Sequence, residues 1–136
     1  MALSADRNTP KRDSRLRYLP VAASTKIYAG ALVMLNANGY ATKGAAATNQ
    51  IAAGRANEAV DNSGGSNGAK FITVEAGEFK FKNSSSTDEI TIAEVGKDCY
   101  IVDDETVAKT SSSNTRSVAG KVTGVDADGV WVRIGF

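Results

Sequence analysis

The side chains able to do chemistry fall in a few places along this chain. Asp103-Asp104-Glu105 is a run of carboxylates that could offer oxygen ligands to a divalent cation. Adjacent carboxylates on a turn rarely converge, so the run reads better as a solvated hairpin tip whose first Asp makes an Asx turn. The loop Asp61-Asn62-Ser63-Gly64-Gly65-Ser66-Asn67-Gly68 also carries carboxylate and amide oxygens. It lacks the Asp-x-Asn-x-Asp-Gly spacing and the distal Glu of an EF-hand. Its glycines are followed by Ala69-Lys70 and a strand, whereas a phosphate loop needs Gly-Lys-Ser/Thr opening a helix. Cys99 stands between Asp98 and Tyr100 at a strand start, and with no histidine to activate it a small buried apolar role fits best.

Composition narrows the chemistry further. The absence of histidine excludes His-dependent general bases, Ser-His-Asp and Cys-His constellations and His-containing zinc sites. One cysteine excludes an internal disulfide, a CxxC redox pair and a four-cysteine metal site. No spacing suggests the paired carboxylates of a glycoside hydrolase. The expectation is a protein without catalytic residues, metal or cofactor, a small carboxylate-based hydrolase being the enzymatic alternative.

The elements that would position any functional group are short strands punctuated by turns. Phe71–Val74 is a run of β-formers ended by Gly77, and Phe79-Lys80-Phe81-Lys82 alternates, placing both phenylalanines on one face. Tyr100-Ile101-Val102 and Val107-Ala108-Lys109 flank the acidic run as a hairpin. Residues 116–125 form another strand, and Asp128-Gly129 turns it into Val130-Trp131-Val132-Arg133-Ile134, with Val130, Val132, Ile134 and Phe136 sharing a face. Earlier strands are expected at Lys26–Tyr28, Ala31–Leu35 and Tyr40–Thr42, and over Gln50–Val60 as one longer strand with Gly54 as a bulge or close approach. Thr91-Ile92-Ala93-Glu94 is a capping box opening at most one or two helical turns before Gly96. Strand spacing and Gly-rich turns indicate an all-β fold, a small antiparallel β-barrel or sandwich.

Length, 136 residues, fits a single domain, and a formal net charge of +1 is too balanced for whole-surface attraction to nucleic acid or an anionic membrane. The apolar stretch Ala29–Leu35 falls far short of the roughly 20 residues that span a bilayer, and the charged first twenty residues offer no signal-peptide core. Much of the apolar content is alanine, with few large side chains, which favours help from neighbouring copies.

Residues 1–17 differ from the remainder. Arg7, Lys11, Arg12, Arg15 and Arg17 outnumber Asp6 and Asp13, and the large apolar residues are too sparse to form a face. The segment reads as an extended basic arm preceding a β-rich domain over residues 18–136. Arginine suits bidentate contact with carboxylates, and aromatic interleaving for single-strand stacking is missing, which tilts the expected partner toward protein over nucleic acid.

Several stretches carry a family resemblance. They are Val21-Ala22-Ala23 through Lys26-Ile27-Tyr28-Ala29-Gly30-Ala31-Leu32-Val33, Ala53-Gly54-Arg55-Ala56 with Val60-Asp61-Asn62-Ser63-Gly64-Gly65, and Ile92–Asp104. Ser117–Val122 and Gly129–Ile134 complete it. The chain after the arm resembles the small capsid decoration, or cement, proteins of tailed bacteriophages. The resemblance implies a β-tulip-like fold, often trimeric, made in the host cytoplasm and bound to the outer surface of the head, where it stabilises the shell. On that resemblance the partners are the major capsid protein and further copies of the chain, with no membrane and no direct nucleic-acid contact. Arg7, Lys11, Arg12, Arg15 and Arg17 would contact the capsid, and Trp131 and Phe136 would serve the oligomer interface. The alternatives are another phage structural role (head–tail or tail component) or a small carbohydrate-binding module.

Overall fold

A computed structural model describes residues 1–136 as twelve short strands and two single 3-10 turns. The strands are β1 (Leu16–Pro20), β2 (Thr25–Ile27), β3 (Leu32–Leu35), β4 (Ala41–Lys43), β5 (Ile51–Ala56), β6 (Val60–Asn62), β7 (Phe71–Glu75), β8 (Gly77–Phe81), β9 (Asp98–Ile101), β10 (Val107–Ala108), β11 (Val118–Asp126) and β12 (Gly129–Ile134). The protein is all-β, with antiparallel pairing throughout its three sheets.

One five-stranded sheet runs β1-β7-β5-β3-β4, a second runs β10-β9-β11-β12-β8, and β2 pairs with β6. Both large sheets curl. Val21, just past β1, bridges Ala41 of β4, and Lys82, just past β8, bridges Thr106 beside β10. The margins of each sheet thereby meet at one point, which satisfies backbone groups there and leaves the remainder of β1 an open edge.

Two apolar clusters fill the interior. One gathers Val21, Ile27, Val33, Ala53, Ile72 and Val74 with neighbouring alanines. The other gathers Leu32, Phe81, Ile90, Ile101, Val122, Val130, Val132 and Ile134, among others. Leu32 and Met34 of β3 belong to the second cluster and Val33 to the first, so β3 is buried on both faces. That explains its unbroken Leu-Val-Met-Leu run, where a strand with one wet face would alternate.

Several sequence expectations meet a correction. Gln50–Val60 is two strands, because Asn57–Ala59 turns the chain between β5 and β6. Gly54 is the expected close approach: its φ is +147°, and a Cβ there would lie 2.1 Å from the Glu75 carbonyl oxygen. The capping box is present on the turn Ile92–Glu94, with the Thr91 side chain accepting from the Ala93 N–H and Glu94 from the Thr91 N–H. Phe136 leaves the face shared by Val130, Val132 and Ile134, since Gly135 at φ +103° redirects the chain and Phe136 is 59% exposed.

The arm boundary also moves. Leu16 and Arg17, expected in the arm, lie in β1, paired with Glu75 and Val74 of β7. Leu16 and Tyr18 are exposed on one face while Arg17 and Leu19 are half-buried on the other, so the alternation is one of exposure, not of residue polarity, and it is set by pairing with β7.

Candidate interaction surface

Every residue from Met1 to Arg15 is exposed, and what order the arm has is local. Arg7 donates to the Thr9 hydroxyl at 2.9 Å, and the Asp13 carboxylate accepts the Arg15 N–H at 2.8 Å. That backbone hydrogen bond, followed by the Arg15 charge, holds the Asp13 carboxyl below the usual carboxylate range. Arg7, Lys11, Arg12 and Arg15 therefore stand on a solvated strand of chain, and only Arg15 is engaged by an acid, at 3.6 Å.

Arg17 departs from this group. Its guanidinium lies 4.3 Å over the Phe136 ring, and its Nη1 is enclosed without a hydrogen-bond partner. Such a contact contributes about 0.5–2 kcal/mol depending on desolvation. Arg17 and Phe136, expected to serve two different surfaces, instead hold the first strand to the C-terminal residues.

The arm leads into an edge. The Ala76 N–H donates to the Arg15 carbonyl and the Val21 N–H to the Lys70 carbonyl, so the odd-numbered residues of β1 face β7. By antiparallel alternation, Leu16 and Tyr18 turn their N–H and C=O groups away from the sheet, where no strand pairs with them. Tyr18, 70% exposed, stacks on Phe71 with centroids 5.1 Å apart. Beside the pair runs a shallow groove of about 420 Å³ floored by Ala59, Val60 and Ala69.

Trp131, 38% exposed, lies on the outer face of β12. Its Nε1 donates to Asp126, and Lys80 sits 5.5 Å over its ring while reaching Asp128 at 3.0 Å. The Asp128 carboxylate holds the Lys80 ammonium above its ordinary pKa. Trp131 and Phe136 are thus both partly exposed, but each already carries a cation from its own chain.

The groups singled out for chemistry take structural places. Burial pushes the Cys99 thiol up to about 12. Asp103 accepts the Glu105 N–H in the expected Asx turn, and Glu105 pairs with Lys82. Asp61 accepts from both the N–H and hydroxyl of Ser63, which lowers its pKa. Asn62, read only as part of a polar loop, is buried and donates to the Ala22 and Ser66 carbonyls at 2.9 and 3.0 Å.

A second concavity has no counterpart in the sequence reading. It is an open groove of about 600 Å³ between the loop Thr48–Gln50 and the turn Ser111–Arg116, with Tyr100 and Val118 along it. Ser117 ties its walls together, donating to the Ala47 carbonyl at 2.7 Å and accepting the Gln50 N–H at 3.0 Å. Arg116 is anchored by Asp88 at 3.2 Å and by the Thr110 carbonyl. The backbone here is strained: Asn49 has φ +60°, and Ser112, Ser113 and Asn114 follow one another at +52°, +60° and +65°. For residues with a Cβ the left-handed region costs on the order of 1–2 kcal/mol each.

No family model, no curated protein and no solved structure matches this chain. The residues themselves carry the functional argument.

Proposed function

We propose that this protein is a virion structural protein, a decoration protein that binds the outside of a phage head through its N-terminal arm. The observation that carries this reading is the arm's construction. Fifteen exposed residues with a basic excess lead without a break into an edge strand beside the exposed Tyr18–Phe71 pair. At about 3.3–3.6 Å per residue the arm can reach roughly 50 Å, enough to cross a neighbouring subunit. Its guanidinium groups suit carboxylates on a protein surface, and the open side of β1 suits a strand from the same partner. The family resemblance of residues 18–136 supports the same reading, including a homotrimer on the shell.

Electron microscopy of the assembled particle tests it: copies distributed over the whole shell are expected, and copies confined to one vertex or to the tail would overturn it. Binding to purified expanded shells tests the arm. Neutralising Arg7, Lys11 and Arg12 together should weaken association and flatten its dependence between about 50 and 500 mM salt, over which the Debye length shrinks from roughly 14 to 4 Å. Single exposed pairs contribute only about 0–1 kcal/mol, so the triple substitution is the informative one. Undiminished, salt-insensitive binding by the triple variant would remove the electrostatic account of the arm.

A further inference from the structure

The groove between Thr48–Gln50 and Ser111–Arg116 has the greatest volume of the four surface concavities. Its volume, about 600 Å³, lies within the range of about 300–1,000 Å³ typical of small-ligand sites. Two of the six non-glycine residues with positive φ, Asn49 and Asn114, line it, and two more, Ser112 and Ser113, lie in the turn that carries Asn114. A fifth, Ser86, opens the 3-10 turn that presents Asp88 to Arg116. Strain of this kind persists where surrounding structure over-determines it, and it clusters at ligand clamps. Here the Thr115 and Arg116 N–H groups both donate to the Ser111 carbonyl, locking the left-handed turn.

The lining defines the ligand. Arg116 is the only charged residue in it, and its guanidinium is already committed to Asp88 and Thr110. What stays free is neutral. The Thr48 hydroxyl, the Asn49 amide and the Tyr100 hydroxyl make no hydrogen bond within the chain, and Gln50 uses only its Nε2, on the Thr48 carbonyl. The Tyr100 ring and Val118 supply the apolar part of the lining. Uncharged donors and acceptors around an aromatic face match a molecule with many hydroxyls on an apolar carbon ring. Asn114 accepts from the Ser111 hydroxyl at 3.5 Å through its Oδ1 and keeps its Nδ2 free. We infer that this groove binds a neutral carbohydrate, with Asn49, Tyr100 and the Asn114 Nδ2 as its principal polar contacts. The site shares no residue with the arm, β1 or Trp131, so it stands independently of shell binding.

The test is an amide-resolved NMR titration of the full chain with glucose, galactose, mannose and N-acetylglucosamine, their tri- and tetrasaccharides, and inorganic phosphate as the anionic control. Saturable shifts with at least one neutral saccharide are expected, confined to residues 48–50, 100 and 111–118. Asn49→Gly and Asn114→Gly are the decisive variants, because glycine keeps the left-handed backbone while removing the amide. Together they should weaken binding at least tenfold while the melting temperature holds or rises, a combination that a purely structural role would not give. Tyr100→Phe should weaken binding while leaving the fold intact. Absence of saturable shifts, shifts centred on Trp131, phosphate outcompeting every sugar, or undiminished binding by the double glycine variant would each overturn the inference.

Discussion

Truncating the N-terminus at two nearby points separates the arm from the fold. Removing residues 2–14 leaves the Arg15 carbonyl in place to accept the Ala76 N–H, and every strand survives. Removing residues 2–17 takes away that carbonyl, the two hydrogen bonds of the Arg17–Val74 pair and the Arg17–Phe136 contact. Three backbone hydrogen bonds at about 1 kcal/mol each and a cation–π contact of about 1 kcal/mol are lost. About 2 kcal/mol of chain-ordering entropy is recovered, since those residues no longer need fixing. The net cost is about 2 kcal/mol. Unfolding entropy of roughly 2.1 cal/mol/K per residue amounts to about 0.29 kcal/mol/K for 136 residues, so the melting temperature should fall by about 7 °C. The shorter deletion should move it by no more than about 1 °C. Thermal melts followed by circular dichroism read both values. Equal melting temperatures for the two truncations would refute the placement of Arg17 in the fold, and a large loss from the shorter deletion would mean the arm is part of the core.

Gly54→Ala should destabilise by roughly 3 kcal/mol in denaturant unfolding, since the new Cβ would stand 2.1 Å from the Glu75 oxygen on a backbone at φ +147°. Acid should weaken the fold. The Asp88 carboxyl is lowered by the Thr110 hydroxyl and by Arg116, and that of Glu94 by the Thr91 N–H. Because these folded-state values are depressed, their contribution is present above the ordinary values of 3.8 and 4.5 and lost as pH falls through the folded ones. Melting temperatures should hold from pH 6 to 8 and drop below about pH 4, and Asp88→Asn should flatten that drop. Cys99, buried with its thiol pushed up to about 12, should resist a disulfide reagent at pH 8 in the native protein and react fully once unfolded.

The parts of the fold legible in the sequence were those governed by local rules. Alternation placed Phe79 and Phe81 inward, Asp128-Gly129 turned β11 into β12, and the Thr91–Glu94 box capped its turn. Interactions between distant residues were not legible. Asn62 lies in a run of turn-forming residues, and only the approach of Ala22 and Ser66 makes it a buried donor. Arg17 reads as one more arm cation until Phe136, over a hundred positions later, arrives beneath it. The polar groove is the clearest case. Thr48–Gln50, Tyr100 and Ser111–Val118 carry no spacing signal, and their left-handed conformation occurs at serine and asparagine, where sequence gives no glycine to announce it.

The alanine content has a different meaning in the structure from the one composition implies. Few large side chains suggested a core too thin to stand alone, yet β3 is shared by two clusters and β5 packs against β11 and β12 of the other sheet. Sharing strands requires close approach, and close approach requires small residues. Ala52, Ala53, Gly54 and Ala56 supply them in β5, and at Gly135 a Cβ would meet the Ala76 Cβ at 2.5 Å and the Ala53 oxygen at 2.8 Å. The small residues therefore let two curled sheets sit against one another, each giving the other part of its interior. Alanine then loses its force as an argument for association with other copies. The large side chains left outside are Tyr18, stacked on Phe71 at the open edge of β1, and Trp131 on the face of β12.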